Sequence, residues 1–266
     1  MIAALVSAVA LASSGTATLL AAGDVASCRS PGDEATAALV AKIPGTVAVL
    51  GDIVYERGTA AELARCYAPS WGRFRKRTRP ALGNHDYGSG SAAPALAYFG
   101  LPPRSYYSYE LGAWHAVVLD SNCWAVGGCG AGSTQERWLR ADLAAHPARC
   151  TLAYWHHPRF SSGLHGGTEA VASLWNALAE AGADVVLAGH DHHYERFAPV
   201  DGIRSFVVGT GGRSRYPVFR RAAGSEVVDF RTYGVLKLTL RAERYDWRFL
   251  PAAGGTFTDA GSGRCR

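Results

Sequence analysis

The chain has 266 residues, 48% of them hydrophobic, and a formal net charge of +5. That length suffices for one sizeable core, and no stretch reads as a linker, so a single domain is expected. The basic residues are almost all Arg, and the mild positive field favours anionic substrates without implying nucleic acid.

Met1 to Ala12 (MIAALVSAVALA) has the apolar run and the Ala-Leu-Ala end of a secretory signal cleaved before Ser13. Residues 1–15 are therefore set aside as a signal segment. A membrane-spanning helix needs about 20 apolar residues and would have to annex Thr16 to Ala22, which read as a strand. The six cysteines form no C-x-x-C pair, so disulfides in an extracytoplasmic compartment are expected. Cys123 and Cys129 are near enough to close a small loop, Cys265 can pin the tail to Cys150, and Cys28 is left for Cys66, one of 15 possible pairings.

Thr16 to Ala22 reads as the first core strand, ended by Gly23-Asp24. A helix follows over Pro31 to Lys42, with acidic residues early and Lys late, and then a strand over Thr46 to Leu50 ended by Gly51-Asp52. Residues 60–66 suggest a short helix. The basic run Trp71 to Arg79 reads as a solvated face, with a phosphate-attracting rim as the alternative. Tyr106 to Asp120 alternates as a hairpin in which His115 is a packed or surface histidine. Ser133 to His146 is an amphipathic helix opened by Ser133 with Glu136 at capping-box spacing. A strand over Thr151 to Trp155 leads to His156-His157-Pro158. A helix over Glu169 to Ala181 precedes the strand Asp184 to Ala188, which ends at Gly189-His190-Asp191-His192. Three further strands, Ile203 to Val208, Tyr233 to Leu240 and Tyr245 to Leu250, complete a layered α/β sandwich.

The chemistry gathers at the ends of those strands. Five apolar runs terminate in Asp24, Asp52, Asn84, His156 and the His190/His192 pair, which is where ligand sites open in α/β sheets. One Gly-Asp is an ordinary turn, but the repetition points to metal. Oxygen and imidazole donors without thiolates suit Zn, Fe or Mn. An extended His-x-His sets its Cα atoms about 6–7 Å apart, enough for each ring to serve one of two ions about 3.5–4 Å apart. Asp52 is the carboxylate expected to bridge them.

These residues resemble the calcineurin-like metallophosphoesterases and, within them, the purple acid phosphatases. The matching motifs are Gly23-Asp24, GDIVY at 51–55, GNHD at 83–86, HHP at 156–158 and GHDHHYER at 189–196. The wider family places a His two residues after its first Asp. Here that position is Ala26, and Tyr55, three residues after Asp52, supplies the purple acid phosphatase pattern. The resemblance implies a four-layer α/β/β/α sandwich of two mixed sheets, spanning 16–266 as one catalytic domain without the N-terminal β domain of larger members.

It further implies one metal held by Asp24, Asp52, Tyr55 and His192, and a second by Asp52, Asn84, His156 and His190. Ionising a phenol of ordinary pKa near ~10 calls for a strong Lewis acid, so ferric iron is expected beside Tyr55, with ferrous iron, Zn or Mn at the other site. The implied reaction is hydrolysis of small phosphate monoesters by water that the two cations acidify, with a phosphodiesterase or nucleotidase on the same site, or an inactive metal-binding protein, as alternatives. His85 is expected to stabilise phosphoryl oxygens or protonate the leaving group, and Asp86 to orient its ring. His157 either reaches the pocket or fills space, His193 has no assigned role, and Tyr194 and Arg196 read as structural support. No stable membrane association is expected.

Overall fold

A computed structural model describes residues 15–266; the signal expectation for Met1 to Ala12 lies outside that range. Two consecutive apolar runs, β1 (Ala17–Ala22) and β3 (Thr46–Leu50), pair in parallel, with α1 (Gly32–Val40) crossing between them. The short strands β2 (Ala26–Ser27) and β4 (Val54–Tyr55) pair in parallel just beyond their carboxyl ends. Asp33 and Glu34 occupy the first turn of α1, where the helix dipole favours negative charge. Arg77 stabilises its other end, donating to the carbonyls of Val40 (2.8 Å), Ile43 (3.0 Å) and Gly45 (2.7 Å).

The expected helix at 60–66 is one α turn, α2 (Ala60–Glu62), widening into a π turn over Leu63–Tyr67, and Thr59 with Glu62 forms a full capping box. The basic run is a 3-10 helix, Trp71–Arg77, running into β5 (Thr78–Ala81). Pro80 is tolerated there because β5 is an edge strand. A helix the sequence reading did not anticipate, α3 (Ala93–Phe99), follows and ends on Gly100 in the left-handed region (φ 67°).

The hairpin pairs β6 (Tyr107–Leu111) with β7 (Trp114–Val118). After it come α4 (Thr134–Ala145), capped by Ser133, then β8 (Cys150–Tyr154), α5 (Ala172–Glu180) and β9 (Val185–Ala188). The remaining strands are β10 (Tyr194–Phe197), β11 (Arg204–Val208), β12 (Ser225–Asp229), β13 (Gly234–Arg241), β14 (Arg244–Pro251) and β15 (Ala260–Arg264).

These strands form two large mixed sheets, β15-β14-β13-β1-β3-β5 and β12-β10-β11-β9-β8-β7-β6. Alternation along the second sheet explains the layering. Ala116, Val118, Leu152, Tyr154 and Leu187 join the main core with Leu19 and Leu238 of the first sheet, while Val117, Ala153 and Val186 pack with Leu139 of α4 and Leu174, Trp175 and Leu178 of α5. The expected stacking of two mixed sheets flanked by helices is thus the observed one.

All six cysteines are paired as expected, Cys28–Cys66, Cys123–Cys129 and Cys150–Cys265. The last closes the longest loop, 115 residues, and so limits the unfolded chain most. No helix among the described residues is long and apolar enough to cross a membrane.

Candidate metal centre

The carboxyl ends of the two sheets meet. From the first, β1 leads to Asp24, β3 to Asp52 and β5 to Asn84; from the second, β8 leads to His156 and β9 to His190 and His192. Asp24, Asp52 and His190 adopt left-handed backbone conformations (φ 60°, 48° and 71°), a cost of order ~1–3 kcal/mol each that is characteristic of residues held for function. The glycines beside them are required by close approach. A Cβ on Gly83 would lie 2.1 Å from Asp52 Oδ1, and one on Gly51 would lie 2.5 Å from the His156 ring.

The Tyr55 hydroxyl stands 2.7 Å from Asp24 Oδ1, 2.7 Å from Asp52 Oδ2 and 3.1 Å from His192 Nε2. His192 Nε2 is itself 3.3 Å from Asp24 Oδ1, and its Nδ1 is engaged by Ser214 Oγ at 2.6 Å. A phenol has one proton to give, yet two buried carboxylate oxygens face it. On the other side of Asp52, His156 Nδ1 donates to the Leu50 carbonyl (2.8 Å), which leaves Nε2 pointing at Asn84 Oδ1 (3.2 Å), His190 Nδ1 (3.2 Å) and Asp52 Oδ2 (3.4 Å). Asp52 Oδ2 therefore belongs to both clusters. Each is a set of oxygen and imidazole donors short of positive charge, and that chemistry fits a cation in each.

The electrostatics agree. Burial alone would raise the Asp52 carboxyl, but the His156, His85 and Tyr55 contacts overcome it and hold Asp52 well below the usual range. Burial would lower His156, yet the Asp52 charge reverses this and pushes it up to about 10. Tyr55 is driven well up by burial and by the Asp24 and Asp52 charges. Burial and the neighbouring His156 take His190 down to about 2, so its lone pair is free at neutral pH. A metal ion would replace the proton that His156 otherwise carries and would invert the penalty on Tyr55.

His85 keeps its ring 4.3 Å from that of Tyr55, donates its backbone N–H to Asp52 Oδ1 (2.8 Å), and has Nδ1 2.6 Å from the Glu56 carbonyl. Its Nε2 is the free nitrogen, 4.0 Å from Asp52 Oδ2. The expected Asp86–His85 contact is a correction. Asp86 is fully buried and turned away, accepting from the backbone N–H groups of Gly83 (2.8 Å) and Ile53 (3.1 Å), so it braces the loop while a backbone carbonyl orients His85.

His157 does lie beside the cluster, its ring 4.4 Å from that of His190 and its Nδ1 2.8 Å from Ser121 Oγ. The sequence reading missed three neighbours. His165 sits 4.3 Å from the His190 ring, tethered to Asp191 at 2.9 Å. Tyr216 stacks on His192 at 4.6 Å, and Arg213 lies 5.1 Å over the Tyr55 ring while pairing with Glu56 at 2.7 Å. Arg213 and Tyr216 follow the Gly209 to Gly212 turn, which the backbone of Gly23 and Asp24 holds against the centre, whereas His165 comes from a separate loop held by Asp191.

His115 is packed as expected, between Glu110 and Asp142 at 2.8 Å each. Tyr194 and Arg196 both bond Asp259, at 2.7 and 2.8 Å, which is structural support.

A family model for calcineurin-like phosphoesterases matches residues 17–194, well over half the chain. The chain belongs to the calcineurin-like phosphoesterase family. An uncharacterised protein of Mycobacterium tuberculosis is 28% identical to this phosphoesterase-family chain over 71% of its length and 40% of the relative's. Purple acid phosphatase 18 of Arabidopsis thaliana is 32% identical over 40% of this chain and 26% of its own. The aligned parts thus span well under half of these relatives. Purple acid phosphatase PPD1 from yellow lupin seeds superposes with a TM-score of 0.77 at 19% identity, over 94% of this chain and 54% of that one. Together these make the chain purple acid phosphatase-like.

Proposed function

We propose that this protein is a secreted phosphomonoesterase with a binuclear metal centre. The observation that carries the reading is Asp52 Oδ2 shared between the Tyr55 and His156 clusters. One ion would be held by Asp24, Asp52, Tyr55 and His192, the other by Asp52, Asn84, His156 and His190. When bound, such a pair supplies Lewis acidity that makes water acidic near neutral pH and neutralises charge on phosphoryl oxygens.

The chain's own groups do the rest. The bond from Ser214 to His192 Nδ1, and that from His156 Nδ1 to Leu50, fix which ring nitrogen faces the centre. His85, with Nδ1 held by Glu56, presents Nε2 to give a proton to the departing oxygen. His157 and His165 border the same opening. Paired cysteines support an oxidising compartment, and hydrolysis of diesters on the same site is the second reading to be tested.

Assay of p-nitrophenyl phosphate beside its bis ester distinguishes the two: the monoester is expected to be preferred, and a large preference for the diester would overturn monoesterase assignment. Ferric iron is proposed beside Tyr55, because burial and then two carboxylates resist ionisation of that phenol and a strong Lewis acid is needed to reverse them. The protein as purified is then expected to be coloured by phenolate-to-iron charge transfer, and Tyr55→Phe to be bleached. A colourless active enzyme holding Zn or Mn alone would refute iron and leave the hydrolase reading intact.

A further inference from the structure

Among the described residues, three large apolar side chains stay highly exposed, Trp124 (70%), Leu164 (59%) and Phe219 (82%). Single exposed apolar residues are ordinary. Here all three sit on segments that also carry a neighbour of the metal centre. Trp124 lies in the Cys123–Cys129 loop, three residues beyond the Ser121 that holds His157, and its ring meets that of Tyr87 at 5.2 Å. Leu164 precedes His165, and Phe219 follows Tyr216 by three residues.

Leu164 and Phe219 face a groove of about 390 Å³ that Pro217, Arg220 and Arg221 also line. The groove lies beside the centre: His165 and Tyr216, the chain neighbours of Leu164 and Pro217, contact His190 and His192, and Ser161 of its lining bonds Asp191 between those two histidines. The floor is braced rather than loose. Ser162 Oγ accepts from the backbone N–H of Ala222 (2.7 Å), tying the two walls, and the backbone N–H of Ser162 donates to buried Glu195 (2.8 Å). Glu195 is in turn held by His193 at 2.9 Å. Arg220 and Arg221 are exposed at the groove.

We propose that this groove receives the leaving group of the ester, and that the group is aromatic and carries an anionic substituent of its own. The inference rests on the phosphoesterase reading and narrows its substrate class. An aromatic ring laid against Leu164 and Phe219 leaves water, and guanidinium groups recognise a carboxylate or phosphate beyond the ring. Such contacts hold ground state and transition state alike, so they lower KM rather than raise kcat.

The test compares phenyl phosphate, 4-carboxyphenyl phosphate and glycerol 2-phosphate on the metal-loaded wild type, on Phe219→Ser and on the double variant Arg220→Ser/Arg221→Ser. All three substituted side chains are exposed, so folding is preserved. Phe219→Ser is expected to raise KM for both aryl esters by about 5–20-fold, several times more than for glycerol 2-phosphate, with little change in kcat. The double variant is expected to raise KM for the carboxylated ester by about 3–10-fold relative to phenyl phosphate. Equal changes on all three esters, or none, would overturn the groove while leaving the phosphoesterase reading in place. An effect of Phe219→Ser without any of the arginine pair would overturn the anionic substituent. A wild type that turns over none of the three would overturn both readings.

Discussion

Asp52→Asn is expected to purify as a folded protein with most of its metal lost from both positions and with kcat/KM reduced by at least about 10³-fold. The size follows from where the carboxylate stands. Asp52 Oδ2 is 2.7 Å from the Tyr55 hydroxyl and 3.4 Å from His156 Nε2, so one substitution removes a negative charge from both clusters. Asn is also, glycine apart, the residue best able to keep the left-handed backbone of φ 48°, so loss of metal would not be a folding defect in disguise. Elemental analysis and circular dichroism check this together. Retention of two ions per chain would refute the bridging role.

The second large effect belongs to His85. His85→Ala is expected to keep its metals, because the imidazole stands outside both donor sets and the backbone N–H bond to Asp52 survives truncation. Its kcat is expected to fall by about 10²–10⁴-fold on glycerol 2-phosphate and by less on p-nitrophenyl phosphate, whose leaving group departs without a proton. The difference between the two esters is the diagnostic. Equal losses on both would reassign the ring from proton donor to stabiliser of phosphoryl oxygens.

What was legible in the sequence, and what was not, divides along a physical line. Asp24, Asp52, Asn84, His156, His190 and His192 could be named because each follows an apolar run, and the end of a buried strand is a place that periodicity marks. Tyr55 was placed by its motif, and the structure sets its hydroxyl between the two aspartates. Ser214 and Tyr216 come from an irregular segment that the Gly209 to Gly212 crossing carries to the centre, and His165 from a loop that Asp191 holds there; no local pattern encodes either approach.

Asp86 misled for the opposite reason. Adjacency to His85 suggested a partner, but consecutive residues in a 3-10 turn point apart, and the buried backbone donors of Gly83 and Ile53 claimed the carboxylate. Arg77 shows the same limit in the basic run, where one guanidinium serves three carbonyls at and just beyond the end of α1. The strands β10, β12 and β15 are short and carry polar or glycine residues, so neither length nor alternation announced them.

The pairing of β13 against β1 bears on how the protein is made. Every residue proposed to grip an ion has left the ribosome by His192, yet the first sheet still lacks the neighbour that runs from Ala17↔Leu240 to Ala21↔Leu236. The crossing at Gly211 that fastens Gly23 is likewise still unsynthesised. A nascent chain of two hundred residues thus owns all the proposed ligands and little of the frame that aims them, so on that assignment metal capture is expected only once the C-terminal strands have arrived.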